Sequence, residues 1–377
     1  MADRPMTLGD VLERLQAGGL LDAQGADGIA EELCLSREAP SAPWFVKVLF
    51  ALGACVAAAS FFVFLACAGL FPKSAGALLV MGLVLVAGAA ALRFVSGHVS
   101  VAQLSLAVSV FGAQLALAVS VAGHAMALVG AAGVVEGPWG DMLARVALAS
   151  LILCIVLYPL HRDALHRFLS CLLVAAATTV WLVASERYHG LHVLVLLEAV
   201  AIGVFFTRWR LPQVLRPMAY ALACCLPLTV LLVICINSAT LWGILWPGEK
   251  AVLTPAWPSS AVLALWLIWL YLWAAGGVAR WRQEAVLVAM VVTVALGAFT
   301  SPGILAGGGL LVLGFGRRDS RLLGLGLAFF PVFLVIYYYN LDLDLATKSY
   351  VLAGSGGILL VVRALLGWRP WAREGAS

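Results

Sequence analysis

WFVKVLFALGACVAAASFFVFLACAGL, residues 44–70, carries a single charged side chain, Lys47. About 20 consecutive apolar residues suffice for a helix to cross a bilayer core, so this run is long enough to span one. It is the first of twelve apolar runs, the others being 74–92, 101–123, 142–160, 165–184, 191–207, 217–237, 259–279, 284–299, 303–316, 321–339 and 349–367. Each must be helical in lipid, because open backbone in hydrocarbon leaves its polar groups unsatisfied at several kcal/mol apiece. With 63% hydrophobic and 11% charged residues among 377, the chain lies far from soluble domains, which are about half apolar and a quarter charged. The pattern predicts an all-α, polytopic transmembrane helix bundle of about 12 spans, and the lipid bilayer is its first partner.

The connections between runs report topology. One side carries Arg93, Arg162, Arg167, Arg208, Arg210, Arg216, Arg280, Arg282, Arg317, Arg318, Arg321, Arg363, Arg369 and Arg373; the other carries Lys73, Arg145, Arg187, Lys250 and Lys348. Basic residues accumulate on the cytoplasmic side, so both termini are expected in the cytoplasm. Runs 284–299 and 303–316 are short and are separated by Ser301-Pro302-Gly303. Two full crossings and one half-inserted hairpin both preserve the parity of the remaining spans.

Three regions follow: a soluble helical hairpin or leader over 1–43, the bundle over 44–367 and a short cytoplasmic tail over 368–377. In the first, Leu8, Val11, Leu12 and Leu15 recur at helical spacing and Gly18-Gly19 stops the pattern. Ile29, Leu33 and Leu35 mark a second helix, which ends before Pro40 and Pro43. A basic stretch followed by a short apolar core is absent at the start, so no cleavable signal peptide is expected.

The net charge of +4 is spread over the connections, without the dense basic run that marks a nucleic-acid partner. Seven of the eight cysteines, all but Cys34, lie within apolar runs and form neither a disulfide framework nor a CxxC zinc pair. Nucleophile elbow, kinase, zinc-protease and dinucleotide fingerprints are missing from the connections, and no cofactor is expected. Glycines recur inside the runs, as at Gly76, Gly82 and Gly88 and at Gly307 to Gly309. Small residues let helices approach closely in lipid, and neither cluster has the context of a phosphate-binding loop.

Glu198 is the sharpest single residue, near the middle of HVLVLLEAVAIGVFF (192–206). A carboxyl group at that depth must face protein, water or a partner, and such acids commonly mark proton or ion paths; desolvation favours its neutral form. Gln103, Gln114, His124, Arg145 and Asn237 are its candidate partners. Glu186, His189 and His192 in ERYHGLH repeat every third residue and would hold a metal only if the turn were helical. Gly190 argues for a loop, and no metal is assigned. His161 and His166 read as part of a basic loop beside headgroups. Trp242, Trp246 and Trp257 in connection 238–258 read as interfacial anchors.

Near the end of the chain, YYYNLDLDLATKS (337–349) places Tyr337, Tyr338, Tyr339, Asp342, Asp344 and Lys348 on the less basic side. Successive residues of a helix point in different directions, so the three tyrosines do not share one pocket. The reading is a tight outer turn and a candidate interface site.

SPGILAGGGLLVLGFGRRDSRLLGLGLAFFPVFLVIYYYNLDLDLATKSYVLAGSGGILLVVR (301–363) combines a glycine-rich helix, a basic turn and the YYY-x-L-D-x-x-L-x-x-K-S run. It resembles the C-terminal signature of a bacterial multi-pass inner-membrane family, domain of unknown function 4401. The leader ERLQAGGLLDAQGADGIAEEL with PWFVKVLFALGACVAA resembles a related N-terminal module. Asp344 stands where that pattern has a small hydroxyl residue. The resemblance implies the bacterial inner membrane and a neighbouring membrane-anchored envelope protein carrying a GDYxxLxY motif; it implies no activity.

Three functions stay open. A non-enzymatic membrane subunit acting with an envelope partner is favoured. A transporter or lipid-handling protein with Glu198 in a membrane-embedded path is the alternative. A membrane enzyme using Asp342, Asp344 or Lys348 at the outer interface is the third.

Overall fold

The structure, a computed structural model, describes residues 44–69, 72–98, 106–160, 163–208, 212–238 and 255–340, with a few isolated positions elsewhere. Eleven α-helices occupy these ranges: α1 Trp44–Cys67, α2 Ala75–His98, α3 Leu106–Gly133, α4 Trp139–Leu160, α5 Ala164–Ala184, α6 His189–Thr207, α7 Arg216–Asn237, α8 Trp257–Ala274, α9 Glu284–Phe299, α10 Pro302–Arg317 and α11 Ser320–Asn340. A short 3-10 turn, Val278–Arg280, precedes α9. No strand occurs among the described residues. Helices α2 to α8 and α11, eight in all, are long and apolar enough to cross a membrane, while α9 and α10 have 16 residues each. Large apolar side chains such as Phe315, Phe299, Val291 and Leu265 are more than two-thirds exposed. In water such a surface would be an aggregation hazard; in a bilayer it faces lipid.

Eleven of the twelve apolar runs thus coincide with helices. The twelfth, 349–367, lies almost wholly outside the described residues, as do the hairpin over 1–43 and the tail over 368–377. Three C-terminal boundaries differ from expectation by five residues or more. The second run, read as ending at 92, is helical through His98. The third run, read as 101–123, is helical through Gly133, because nothing between Met126 and Gly133 breaks it. The eighth, read as ending at 279, stops at Ala274. There Gly276 takes φ 94°, and the N–H groups of Gly276 and Gly277 donate to the carbonyls of Trp273 and Leu272. This is a Schellman stop, which needs a left-handed residue after the helix.

The chain divides into two compact units, Met1–Phe71 with Leu85–Ala122, and Pro72–Val84 with Gly123–Ser377. In the first, the described parts are α1, the second half of α2 and the first half of α3. Val86, Ala89, Ala116 and Ser120 are buried there.

The second unit is built around α7 and α10. Sixty-seven per cent of the α7 span is buried, against 17% for α4 and α11, which places α7 inside and the other two at the rim. Ala219, Ala221 and Ala223 are fully buried and let neighbours approach closely, the substitute in lipid for a hydrophobic drive. Pro217 falls in the first turn of α7, where its missing N–H costs nothing. Pro227 lies in the interior and frees one backbone carbonyl. Helix α7 packs against α5, α6, α10 and α11, while α10 packs against α7, α8, α9 and α11.

Glycine sets the spacing in α10. A Cβ at Gly303 would meet Phe333 of α11 at 2.1 Å, one at Gly314 would meet Leu323 of α11, and one at Gly309 would meet the Trp266 ring of α8 at 2.0 Å. Within the Gly307 to Gly309 cluster, Gly307 on Phe330 and Gly309 on Trp266 thus serve packing, whereas Gly308 makes no close approach. Of Gly76, Gly82 and Gly88, only Gly82 makes a close approach, to Gly123 and Ala127.

Alternating helices give the second unit two ends. At one, the arginine end, lie the α4–α5, α6–α7, α8–α9 and α10–α11 connections, with Arg167, Arg208, Arg216, Arg280, Arg282, Arg317, Arg318 and Arg321. At the other, the Asn340 end, lie Arg145 and Arg187, near the α3–α4 and α5–α6 connections.

Candidate functional site

Among the described residues of the second unit, two places stand out. The first is Glu198, 2% exposed in the centre of α6. It is the one acidic side chain at mid-helix among the described residues. The hydroxyl of Thr229 on α7 donates to its Oε1 at 3.2 Å, while its Oε2 is buried without a partner. Val195, Ala199 and Ile202 on α6, with Leu226 and Val230 on α7, are 0% exposed. The carboxyl group therefore sits in a closely packed apolar helix–helix seam.

Of the partners expected for Glu198, three are engaged elsewhere. Arg145 donates to the carbonyls of Ala132 and Val135, holding the end of α3. Asn237 donates to Val233 of its own helix. The His124 ring stands 5.1 Å from that of His166. His166 is itself buried, which corrects its reading as part of a loop in contact with headgroups; it lies inside the first turn of α5, whose N-cap is Asp163.

The second place is a polar cleft of about 490 Å³ at the Asn340 end. Its wall includes Asn237 and Ser238 from the end of α7, Ser260 from α8, Thr300 and Ser301 from the α9–α10 turn, and Asn340 from α11. Helix lengths explain why a cleft forms there. Gly303 lies on Phe333, Gly307 on Phe330 and Gly314 on Leu323, so Pro302 is level with about Val335. The last five residues of α11, 336–340, then overhang α10 by about 7 Å at 1.5 Å per residue. The short α9–α10 pair floors the cleft, and α11 walls it.

Hydrogen bonds brace the rim. Ser238 donates to Asn340 Oδ1 at 2.9 Å, and Tyr337 donates to the carbonyl of Phe299 at 3.0 Å. Ser301 Oγ is buried with no partner. Trp257 and Tyr339, both also lining the cleft, are 69% and 73% exposed.

The three tyrosines do diverge: Tyr337 ties α11 to α9, Tyr339 lines the cleft, and Tyr338 packs edge-on against Tyr339 at 5.5 Å. Asp342, Asp344 and Lys348 lie outside the described residues, as do Trp242 and Trp246.

The ERYHGLH segment is not the loop that Gly190 suggested. His189 opens α6, so Gly190 is helical; a Cβ there would strike Leu182 at 2.6 Å, and close packing accounts for the glycine. Glu186 takes φ 56° as the left-handed residue that stops α5, with Arg187 N–H donating to Leu182. Glu186 and His189 are exposed, whereas His192 is buried and shares a 2.6 Å hydrogen bond through Nδ1 with Ser259 Oγ of α8. Among the described residues no group of three or more His, Cys, Asp or Glu is placed to hold a metal.

Thr229, Ser259 and Ser301 were missed in the sequence. A threonine or serine in an apolar helix satisfies itself on its own backbone, as Thr178 and Thr293 do here, so the residue type alone carries no signal.

A family described as "Domain of unknown function (DUF4401)" matches residues 43–369. No curated protein and no solved structure matches the chain.

Proposed function

The chain belongs to the DUF4401 family, and we propose that it is a non-enzymatic membrane subunit that docks a partner polypeptide in the cleft at the Asn340 end. The observation that carries this reading is the composition of the cleft. Its wall offers amide and hydroxyl groups, its rim carries the exposed aromatics Trp257 and Tyr339, and no charged side chain is among its described lining residues. Neutral donors and acceptors suit a main chain, tryptophan and tyrosine are enriched among binding hot spots, and a volume near 490 Å³ is within the about 300–1,000 Å³ of ligand clefts. General acid–base work instead needs titrating groups that converge on a substrate.

The occupant we assign is a segment of a membrane-anchored envelope protein carrying the GDYxxLxY motif. In this reading the membrane is the bacterial inner membrane, the arginine end is cytoplasmic, and the cleft opens on the envelope side, as the bias of basic residues favours. The close apolar packing around Glu198, with Val195, Ala199, Leu226 and Val230 at 0% exposure, supports a structural role for that acid over a conducting one.

A photo-crosslinking residue at Tyr339, compared with one at Phe315 on the far end of α10, tests the proposal in native membranes. The expected result is one discrete adduct from position 339, containing the motif-bearing protein, and none from 315. Equal adducts at both positions, or none at 339 in cells that express the motif-bearing protein, would overturn it.

A further inference from the structure

A second cleft, of about 670 Å³, lies at the arginine end between the first turns of α5, α7 and α11. Its chemistry is divided by depth. Arg216, Arg321 and Gln213 stand at its mouth, and Leu165, Phe168 and Leu325 line its walls. It continues along α7 to Cys224, eight residues beyond Arg216, about 12 Å at helical rise.

The arginines are placed to bind an external anion. The Arg321 guanidinium lies over the Tyr220 ring, 5.6 Å from its centroid. Stacking uses the face of a guanidinium and leaves its N–H edge for phosphate. Asp319, the nearby acid, is already engaged. Its Oδ1 accepts from the N–H groups of Arg321 and Leu322 at 3.0 and 3.4 Å, capping α11, and its Oδ2 accepts from the Tyr220 hydroxyl. Arg216 and Arg321 are both exposed at the mouth.

We propose that this cleft binds an anionic phospholipid, with the phosphate on Arg216 and Arg321 and an acyl chain along Leu165, Phe168 and Leu325. Charge complementarity assigns the headgroup, since basic pockets between transmembrane helices select anionic lipids. The apolar walls assign the source. Leu165 is 48% exposed, so one wall stands open at the side, as a chain entering from the bilayer requires. A soluble phosphate would use the mouth and leave the apolar depth unfilled.

The test uses the full chain in mild detergent, titrated with phosphatidylglycerol and with phosphatidylethanolamine and read by native mass spectrometry. Replacing both arginines, R216A with R321A, should lower phosphatidylglycerol occupancy about thirtyfold, from the contribution of each basic residue to an anionic surface. The matched pair R208A with R282A, at the same end but outside the cleft, should leave it unchanged. L325W fills the apolar wall with both arginines intact, and should also abolish the preference for phosphatidylglycerol. Native-like occupancy in R216A/R321A would overturn the proposal, as would an equal loss in the control pair, which would mean diffuse attraction. Competition by glycerol 3-phosphate at the concentrations at which lipid binds would overturn it in favour of a soluble ligand.

Discussion

Replacing Glu198 by methionine should not weaken the protein, whereas replacing Thr229 by valine should. The carboxyl group gains one hydrogen bond from Thr229 and leaves Oε2 buried and unpartnered. An interhelical hydrogen bond within a membrane contributes about 0.6 kcal/mol on average and up to about 1.7. An orphaned buried polar atom costs about 1–3 kcal/mol. Glu198→Met removes both terms at nearly constant volume, and the freed Thr229 hydroxyl can turn to its own helix. With a bond of average strength the expected change is about 0.4–2.4 kcal/mol of added stability. Thr229→Val removes the bond and keeps the carboxyl group, so it should cost about 0.6–1.7 kcal/mol. The double variant should fall close to Glu198→Met, because the pair acts as a unit. Equilibrium unfolding in mixed micelles of sodium dodecyl sulfate and a mild detergent gives the order directly. A Glu198→Met protein less stable than Thr229→Val would refute the reasoning, since the carboxyl group would then have a stabilising partner beyond Thr229. So would a stable Glu198→Met protein that no longer yields the Tyr339 crosslink, which would return Glu198 to a working role.

Gly309→Val should destabilise by about 1–3 kcal/mol or block folding, the range for overpacking, because the Trp266 ring lies 2.0 Å from the new Cβ and is 5% exposed; the same unfolding assay reads it, and a neutral result would show that α8 and α10 are less closely packed. Asp319→Ala should cost about 1–2 kcal/mol as a lost helix cap, with Asp319→Asn recovering most of it, since an amide oxygen caps as well as a carboxylate; equal losses for both would mean that the charge itself matters.

The two ends of the second unit perform different physical tasks. At the arginine end, Asp163 and Asp319 cap α5 and α11, and the Tyr158 hydroxyl donates to Val214 just before α7. Those helix starts are satisfied from within, which leaves Arg216 and Arg321 for the membrane, while Arg167 and Arg280 donate to the carbonyls of Tyr158 and Ala275. At the Asn340 end, the α9–α10 pair is short, Ser301 caps α10 without a side-chain hydrogen bond, and its hydroxyl stays buried. Polar groups are thereby collected below the rim of α11 instead of being spread along an interface.

The sequence by itself determined that this is a helical membrane bundle, where eleven of its helices run, and which ends gather arginine. These follow from local properties, since apolar length decides what partitions into lipid and the charge of each connection decides on which side it stays. It also singled out Glu198 as the isolated acid and the glycines of α10 as packing residues. Only the tertiary structure decided that Glu198 meets Thr229, 31 residues away, that Glu186 is the left-handed residue ending α5, and that both clefts lie between helices distant in the chain. Pairing of helices in lipid depends on register and side-chain fit, and a one-residue shift, leaving every apolar run unchanged, would bring a different face of α7 to Glu198.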